Sequence, residues 1–185
     1  MTRPETSTSI SSADDLLQEW VRSIPDWPEP GVTFRDLTPL FANSQAFAAL
    51  IGHLAVAGAG LGPIDVVVGI EARGFILGAP VADRLGVGFV PLRKAGKLPG
   101  PVLSASYDLE YGQATLEVHT DAIPPAGRVL VIDDVLATGG TLAAAGSLVS
   151  EAGATLVGNV VALELPALAG RARLGDVPLI ALTEF

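Results

Sequence analysis

The 185-residue chain has no cysteine, one methionine and only two histidines. Disulfides, thiolate metal sites and cysteine nucleophiles are therefore excluded, although the missing thiols do not fix a compartment. Basic residues are scarce, eleven against twenty acidic, for a formal net charge of −9. That balance argues against a nucleic-acid partner, which needs a basic face. No apolar run reaches the ~18 residues of a membrane span. The stretch Met1 to Ser11 is polar and lacks the apolar core of a signal peptide, so a cytoplasmic protein with no membrane partner is the expectation. It also lacks hydrophobic periodicity and reads as disordered. Hydrophobic residues nevertheless make up 49% of the chain, enough for residues 12–185 to form a single domain with its own core.

The pattern along that domain is strand, helix, strand. Ser12-Ala13-Asp14-Asp15 has a cap and first-turn acids, so it starts a helix that Pro25 should end. Residues 25–39 hold four prolines but also Trp27, Val32 and Phe34. They predict an ordered loop that, with the C-terminal part, could form a small cap over the sheet edge. Asn43 or Ser44 caps a second helix to about Ala57. Asp65–Ile70 is a continuous apolar run, the pattern of a strand buried on both faces. A helix over 74–85, stopped by Gly86, and a strand over 87–92 follow. Residues 93–112, rich in Gly, Pro and charge, predict a long loop. Further strands are expected at 115–119, 128–132, 155–163 and 179–182, with a helix over 141–152 stopped by Gly153. The fold class is therefore α/β, a parallel sheet flanked by helices, with a small hood. In such sheets the ligand sits at the carboxyl ends of the strands.

One such end carries Asp133-Asp134-Val135-Leu136-Ala137-Thr138-Gly139-Gly140-Thr141. Two glycines permit backbone angles other residues resist, and successive N–H groups can then line one concavity ahead of a helix N-terminus. With the hydroxyls of Thr138 and Thr141 this makes a cradle for a phosphate monoester. It is not a P-loop, for no Gly-Lys-Ser/Thr closes it. The two carboxylates could grip sugar hydroxyls or a hydrated Mg²⁺. Taken alone, an Asp-Asp pair would more often be solvated. The full string from Val129 to Thr141 resembles the phosphoribosyl pyrophosphate motif of the type I phosphoribosyltransferases. The resemblance implies that Asp133 and Asp134 contact the ribose, and that Ala137, Thr138, Gly139, Gly140 and Thr141 hold the 5′-phosphate.

Three other segments resemble the adenine branch of that family: Asp26 to Asp36, Gly69 to Phe75, and Arg93 to Gly100 together with Tyr107 to Gly112. The resemblance runs over roughly residues 12–185, with Trp27 and Thr33 as mild variants. It implies transfer of phosphoribosyl from phosphoribosyl pyrophosphate to adenine, giving AMP and pyrophosphate in purine salvage. Mg²⁺ would be held mainly by the substrate, and the assembly would be a homodimer. Adenine would be read by backbone at Thr33 and Arg35, stacked by Phe34 and covered by Leu165. Arg73, Arg93, Lys94 and Lys97 would meet pyrophosphate. Glu110, Arg73 and Lys94 are the catalytic candidates, Glu110 at the purine or the ribosyl cation. Without the family, Phe34 and Leu165 read equally as core, Arg73 as a surface charge, and the 93–97 cations as a solvated loop. His53 and His119 carry no assigned chemistry. Another purine base, or a regulator that senses phosphoribosyl pyrophosphate without turnover, remain the rival readings.

Overall fold

The structure, a computed structural model, describes residues 12–108 and 112–185. Contacts divide the chain into two compact units, one reaching to Leu50 and one spanning Ile51–Phe185. The expectations for residues 1–11 and for Glu110 lie outside the described residues.

In the first unit α1 (Ala13–Trp20) begins as expected, with the Ser12 hydroxyl accepting from the Asp15 amide at 3.1 Å. It ends at Trp20, well before Pro25, because Arg22–Ile24 forms strand β1 and pairs antiparallel with β2 (Phe34–Asp36). The expected loop over 25–39 therefore contains a strand, and it runs into a short helix α2 (Thr38–Ala42). Asp36 is the polar hinge of this unit. Its carboxylate takes two hydrogen bonds from Arg22, at 2.6 and 3.1 Å, and one from the Thr38 amide at 2.9 Å. The Thr38 bonds, then those of Arg22, draw its pKa from 3.8 to about 2 against the opposing effect of burial.

That depression has a stability consequence with a definite sign. The unfolded carboxyl titrates near its ordinary value, so the contribution of Asp36 is complete above about pH 4 and fades as pH falls towards 2. Asp36→Asn should be less stable than the parent at neutral pH, with the gap closing across that window. Thermal melts at pH 6, 4 and 3 would show it; a gap independent of pH would mean the charge contributes nothing.

Helix α3 (Ser44–Gly60) follows, its first amides at Gln45 and Ala46 capped by Asn43 Oδ1 at 3.0 Å, and the boundary between the units falls inside it. Beyond it lie β3 (Val66–Ile70), α4 (Arg73–Leu85), β4 (Gly88–Lys94), β5 (Val102–Asp108), β6 (Gln113–His119), β7 (Arg128–Leu136), α5 (Gly140–Glu151), β8 (Thr155–Glu164) and β9 (Leu179–Glu184). The seven strands form one sheet in the order β5-β6-β4-β3-β7-β8-β9. From β4 to β9 the β3, β4, β7, β8 and β9 pairings are parallel, while β5 and β6 extend the edge antiparallel.

The alternation of side chains sorts the core into two layers. Val66, Val68, Ile70, Val90 and Leu92 pack with Val129, Val131 and the buried face of α5 (Leu142, Ala145, Leu148, Val149). On the opposite face the helix α4 approaches β3 very closely: a methyl group at Gly69 would lie 2.7 Å from the Gly74 carbonyl oxygen and from the Phe89 ring. Asp65 and Arg128 fix the register where β3 and β7 begin, through guanidinium bonds of 2.9 and 2.6 Å and a backbone bond of 2.9 Å.

Two expectations change. The loop over 93–112 is largely strand: β4 continues to Lys94, and β5 pairs with β6 from Val102↔His119 to Asp108↔Gln113. The alternation in Val102–Asp108 places small and polar residues (Ser104, Ser106) between partly buried ones (Leu103, Ala105, Tyr107), which hid a half-exposed strand within a loop-like composition. The C-terminal segment belongs to no hood; β9 is a strand of the main sheet beside β8.

Candidate active site

The carboxyl end of β7 carries Asp133 and Asp134 inside the strand itself, both buried, at 9% and 4% exposure. Two packing contacts place them. Gly74, at the start of α4, sits so tightly on β7 that a methyl group there would lie 2.9 Å from the Ile132 carbonyl oxygen and 3.0 Å from Asp133 Oδ1. That approach sets Arg73 over the strand end, where its Nε stands 2.7 Å from Asp134 Oδ2 in an ion pair. Asp133 Oδ1 accepts from the Asp134 amide at 2.9 Å.

Burial and the adjacent Asp134 charge push the Asp133 carboxyl well above the usual carboxylate range. Asp134 is also raised by burial, but the Arg73 guanidinium pulls against that. Burial and a neighbouring charge thus oppose ionisation of Asp133, whereas the Arg73 guanidinium favours the charged form of Asp134. The site offers two carboxyl groups side by side, a match for a pair of vicinal hydroxyls.

Past Leu136 the chain turns through Ala137-Thr138-Gly139 into α5. Gly139 holds φ +82° just before the helix, and among the described residues no side chain caps it. The first N–H groups of a twelve-residue helix thus point out of its N-terminus without a side-chain acceptor. The turn is braced from behind. Glu164, buried at the end of β8, receives three bonds from Arg171, at 2.8, 2.9 and 2.6 Å. The pair pins the helical turn Gly170–Arg173. Gly170 in turn packs on the loop: its own added methyl would overlap the Ala137 carbonyl oxygen, and one on Gly139 would overlap the Gly170 carbonyl oxygen. Leu165, half-buried, is tied to the same place by its amide bond to the Leu136 carbonyl at 2.9 Å.

The cations separate into two kinds. Arg93 is engaged: its Nε bonds Glu71 Oε2 at 3.1 Å, and its guanidinium lies 5.8 Å from the Phe75 ring centre. Lys94 and Lys97 are exposed. Glu71 also accepts from the Lys94 amide at 2.9 Å; that bond, then Arg93, holds its carboxyl below the usual range. Glu71 ties the end of β4 to the end of β3, and the peptide between Glu71 and Ala72 is cis. Thr33 is exposed, and Phe34 and Arg35 are half-buried on β2 in the first unit.

The sequence reading passed over Glu71, Glu164, Gly170 and Arg171, all of which act on the site by holding other groups. The available signal was an acid at each strand end, Glu71 after β3 and Glu164 closing β8, each with an arginine elsewhere to meet it.

An uncapped helix N-terminus after a buried acidic pair, at the carboxyl end of a central parallel strand, suits a sugar phosphate. The matching family model is the phosphoribosyl transferase domain, over residues 41–179. The adenine phosphoribosyltransferase of Thermobifida fusca is 57% identical over 176 residues, covering 95% of this chain and 98% of that one. The crystal structure of the adenine phosphoribosyltransferase of Thermoanaerobacter pseudethanolicus superposes with a TM-score of 0.89 at 44% identity, covering 92% and 99% of the two chains. That of Saccharomyces cerevisiae, complexed with an imino-altritol bisphosphate and adenine, gives a TM-score of 0.86 at 41% identity over 92% and 98%. The chain belongs to the adenine phosphoribosyltransferase family.

Proposed function

We propose that the protein transfers the 5-phosphoribosyl group of phosphoribosyl pyrophosphate to adenine, releasing pyrophosphate and AMP, and that residues 12–185 act as one catalytic unit. The observation that carries this reading is the buried Asp133–Asp134 pair beside the uncapped start of α5. It is supported by the extent of identity to adenine phosphoribosyltransferases.

The backbone of Ala137 to Thr141, with the hydroxyls of Thr138 and Thr141, holds the 5′-phosphate at the helix N-terminus. Asp133 and Asp134 bind the two ribose hydroxyls. Arg73, paired with Asp134, directs its positive charge to pyrophosphate. Lys94 and Lys97 add mobile positive charge, and Arg93 contributes field from its place on Glu71. As the anomeric bond breaks, the ribosyl ring gains positive charge, which the carboxylate of Asp134 stabilises, while the cations stabilise the departing anion. Water must be kept out, because it would capture the ribosyl cation. Phe34 supplies a stacking face for adenine and Leu165 an apolar face, with backbone at Thr33 and Arg35 reading the base. Glu110 is assigned to the purine or the ribosyl cation by resemblance alone.

Mg²⁺ fits this donor set as an ion bound chiefly through substrate. Among the described residues no three acidic or histidine side chains converge, and one of the two site carboxylates already faces Arg73. Such an ion keeps water and phosphate oxygens as most of its shell. When bound, it neutralises pyrophosphate oxygens. The same family reading carries a homodimer in the cytoplasm. Among the described residues no helix is long and apolar enough to cross a membrane.

The test is pyrophosphate release with phosphoribosyl pyrophosphate and each base in turn, with and without Mg²⁺. Adenine should be preferred over hypoxanthine and guanine by a wide margin, and chelation should abolish turnover. Faster turnover of another base would overturn the base assignment. Tight phosphoribosyl pyrophosphate binding without turnover on any base would favour a sensor.

A further inference from the structure

Arg173 closes the helical turn that braces the phosphate loop, and it has no acidic partner among the described residues. Four other arginines of the second unit are ion-paired: Arg73 with Asp134, Arg93 with Glu71, Arg128 with Asp65 and Arg171 with Glu164. Arg173 forms no ion pair and no side-chain hydrogen bond among the described residues, and it is exposed. Its position is nonetheless specific. A methyl group at Gly140, the first residue of α5, would lie 3.1 Å from the Tyr107 ring, 3.2 Å from the Asp108 carbonyl oxygen and 3.6 Å from Arg173 Nη1. Side-chain bonds along a helix lean towards its N-terminus, so the guanidinium stands beside the first turn, on the side where the free N–H groups emerge.

A cation at that place is unfavourable by itself. The helix N-terminus carries partial positive charge, and a neighbouring guanidinium repels it. No carboxylate of the first turn relieves the repulsion, for α5 begins Gly140-Thr141-Leu142. The arrangement becomes favourable once an anion sits at the helix start and faces both. On its other side the exposed side chain borders a cavity of about 790 Å³ lined also by Leu142, Ala143 and Leu174.

From this geometry we infer that Arg173 is a further binding residue for the 5′-phosphate of the ribosyl substrate, reaching it from outside the loop that cradles it with backbone. The inference rests on the phosphate-loop reading above. It adds charge-assisted contacts to a cradle otherwise made of neutral N–H and O–H groups. It also resolves how a chain of net charge −9 holds the 5′-phosphate end of its substrate, distant from the cations that serve pyrophosphate.

The experiment is calorimetry of ribose 5-phosphate and of pyrophosphate on wild type, Arg173→Ala and Arg173→Lys, with steady-state kinetics on the same three proteins. Arg173→Ala should raise the Kd of ribose 5-phosphate and the KM of phosphoribosyl pyrophosphate about tenfold, leaving kcat and the pyrophosphate Kd within a factor of two, because one charge-assisted bond is lost. Arg173→Lys should recover part of the loss. An unchanged ribose 5-phosphate Kd in Arg173→Ala would overturn the inference. So would equal weakening of both anions, which would mark a general field effect, and a lowered melting temperature with both constants unmoved, which would mark a structural role. Failure of the wild type to bind ribose 5-phosphate at all would overturn the phosphate-loop reading itself, and this inference with it.

Discussion

Asp134→Asn should lower kcat/KM by roughly 10- to 100-fold, the cost of one charge-assisted hydrogen bond at a ribose hydroxyl. Asp133→Asn should fall by a similar factor, yet the two variants should part company in stability. Burial and the Asp134 charge both oppose ionisation of Asp133. Asparagine is nearly the same shape and neutral, so Asp133→Asn removes a buried titratable group at little structural cost and should melt at or above the parent temperature. Asp134 faces Arg73 at 2.7 Å. Asp134→Asn breaks that ion pair at the strand end and should melt lower. Steady-state kinetics and thermal melts at pH 7 decide the matter. Wild-type kcat/KM in both variants would mean that the ribose hydroxyls are bound elsewhere. Equal stability losses would mean that the ion pair with Arg73 does not distinguish the two carboxyls.

The parallel sheet was legible because its strands are buried on both faces. Val66 to Ile70, interrupted only by Gly69, and Val129 to Ile132 are β-branched or aliphatic runs, and few other structures accommodate them. The phosphate loop was legible for a different reason: its function resides in backbone N–H groups, and backbone geometry leaves glycine in the sequence as its trace. Where the reading went astray, the strand was half-exposed. Val102–Asp108 mixes serine, alanine and tyrosine, and its place as a strand comes from pairing with β6, a long-range fact absent from local composition. The same holds for β1 and β2, three residues each, stabilised by the Arg22–Asp36 pair fourteen positions apart. In the site, residues that touch ligand were nameable from motif and resemblance. Those that hold other residues in place were not, since Glu71 and Arg93, or Glu164 and Arg171, have meaning only once folding brings them together.

Gly139→Ala and Gly170→Ala should be the most damaging single-methyl additions in the chain, and a third glycine supplies their control. Gly139 sits at φ +82°, a conformation that costs an alanine roughly 1–2 kcal/mol. Its new methyl would also overlap the Gly170 carbonyl oxygen, a backbone atom held by the Glu164–Arg171 pair and unable to give. Overpacking of this kind adds about 1–3 kcal/mol. Gly170→Ala has no comparable backbone strain, but its methyl meets the Ala137 carbonyl oxygen and lies 2.9 Å from Leu136 Cδ1. Either change forces the turn off Gly170, and with it the N–H groups that hold the 5′-phosphate. Gly153, past the other end of α5, shares the strain at φ +74° but has open space around it. Gly153→Ala should therefore lose a few degrees of melting temperature, at about 2–4 °C per kcal/mol for a protein of this size, and keep its kcat/KM. Gly139→Ala should lose more, by the overpacking contribution alone, and should raise the KM for phosphoribosyl pyrophosphate by at least tenfold, about 1.4 kcal/mol of lost substrate binding. Gly170→Ala should share the kinetic defect with a smaller strain component. If Gly139→Ala merely matched Gly153→Ala in both melting temperature and kinetics, the close contact between the phosphate loop and the Gly170 turn would not exist in solution, and the brace from Glu164 through Arg171 would have no bearing on catalysis.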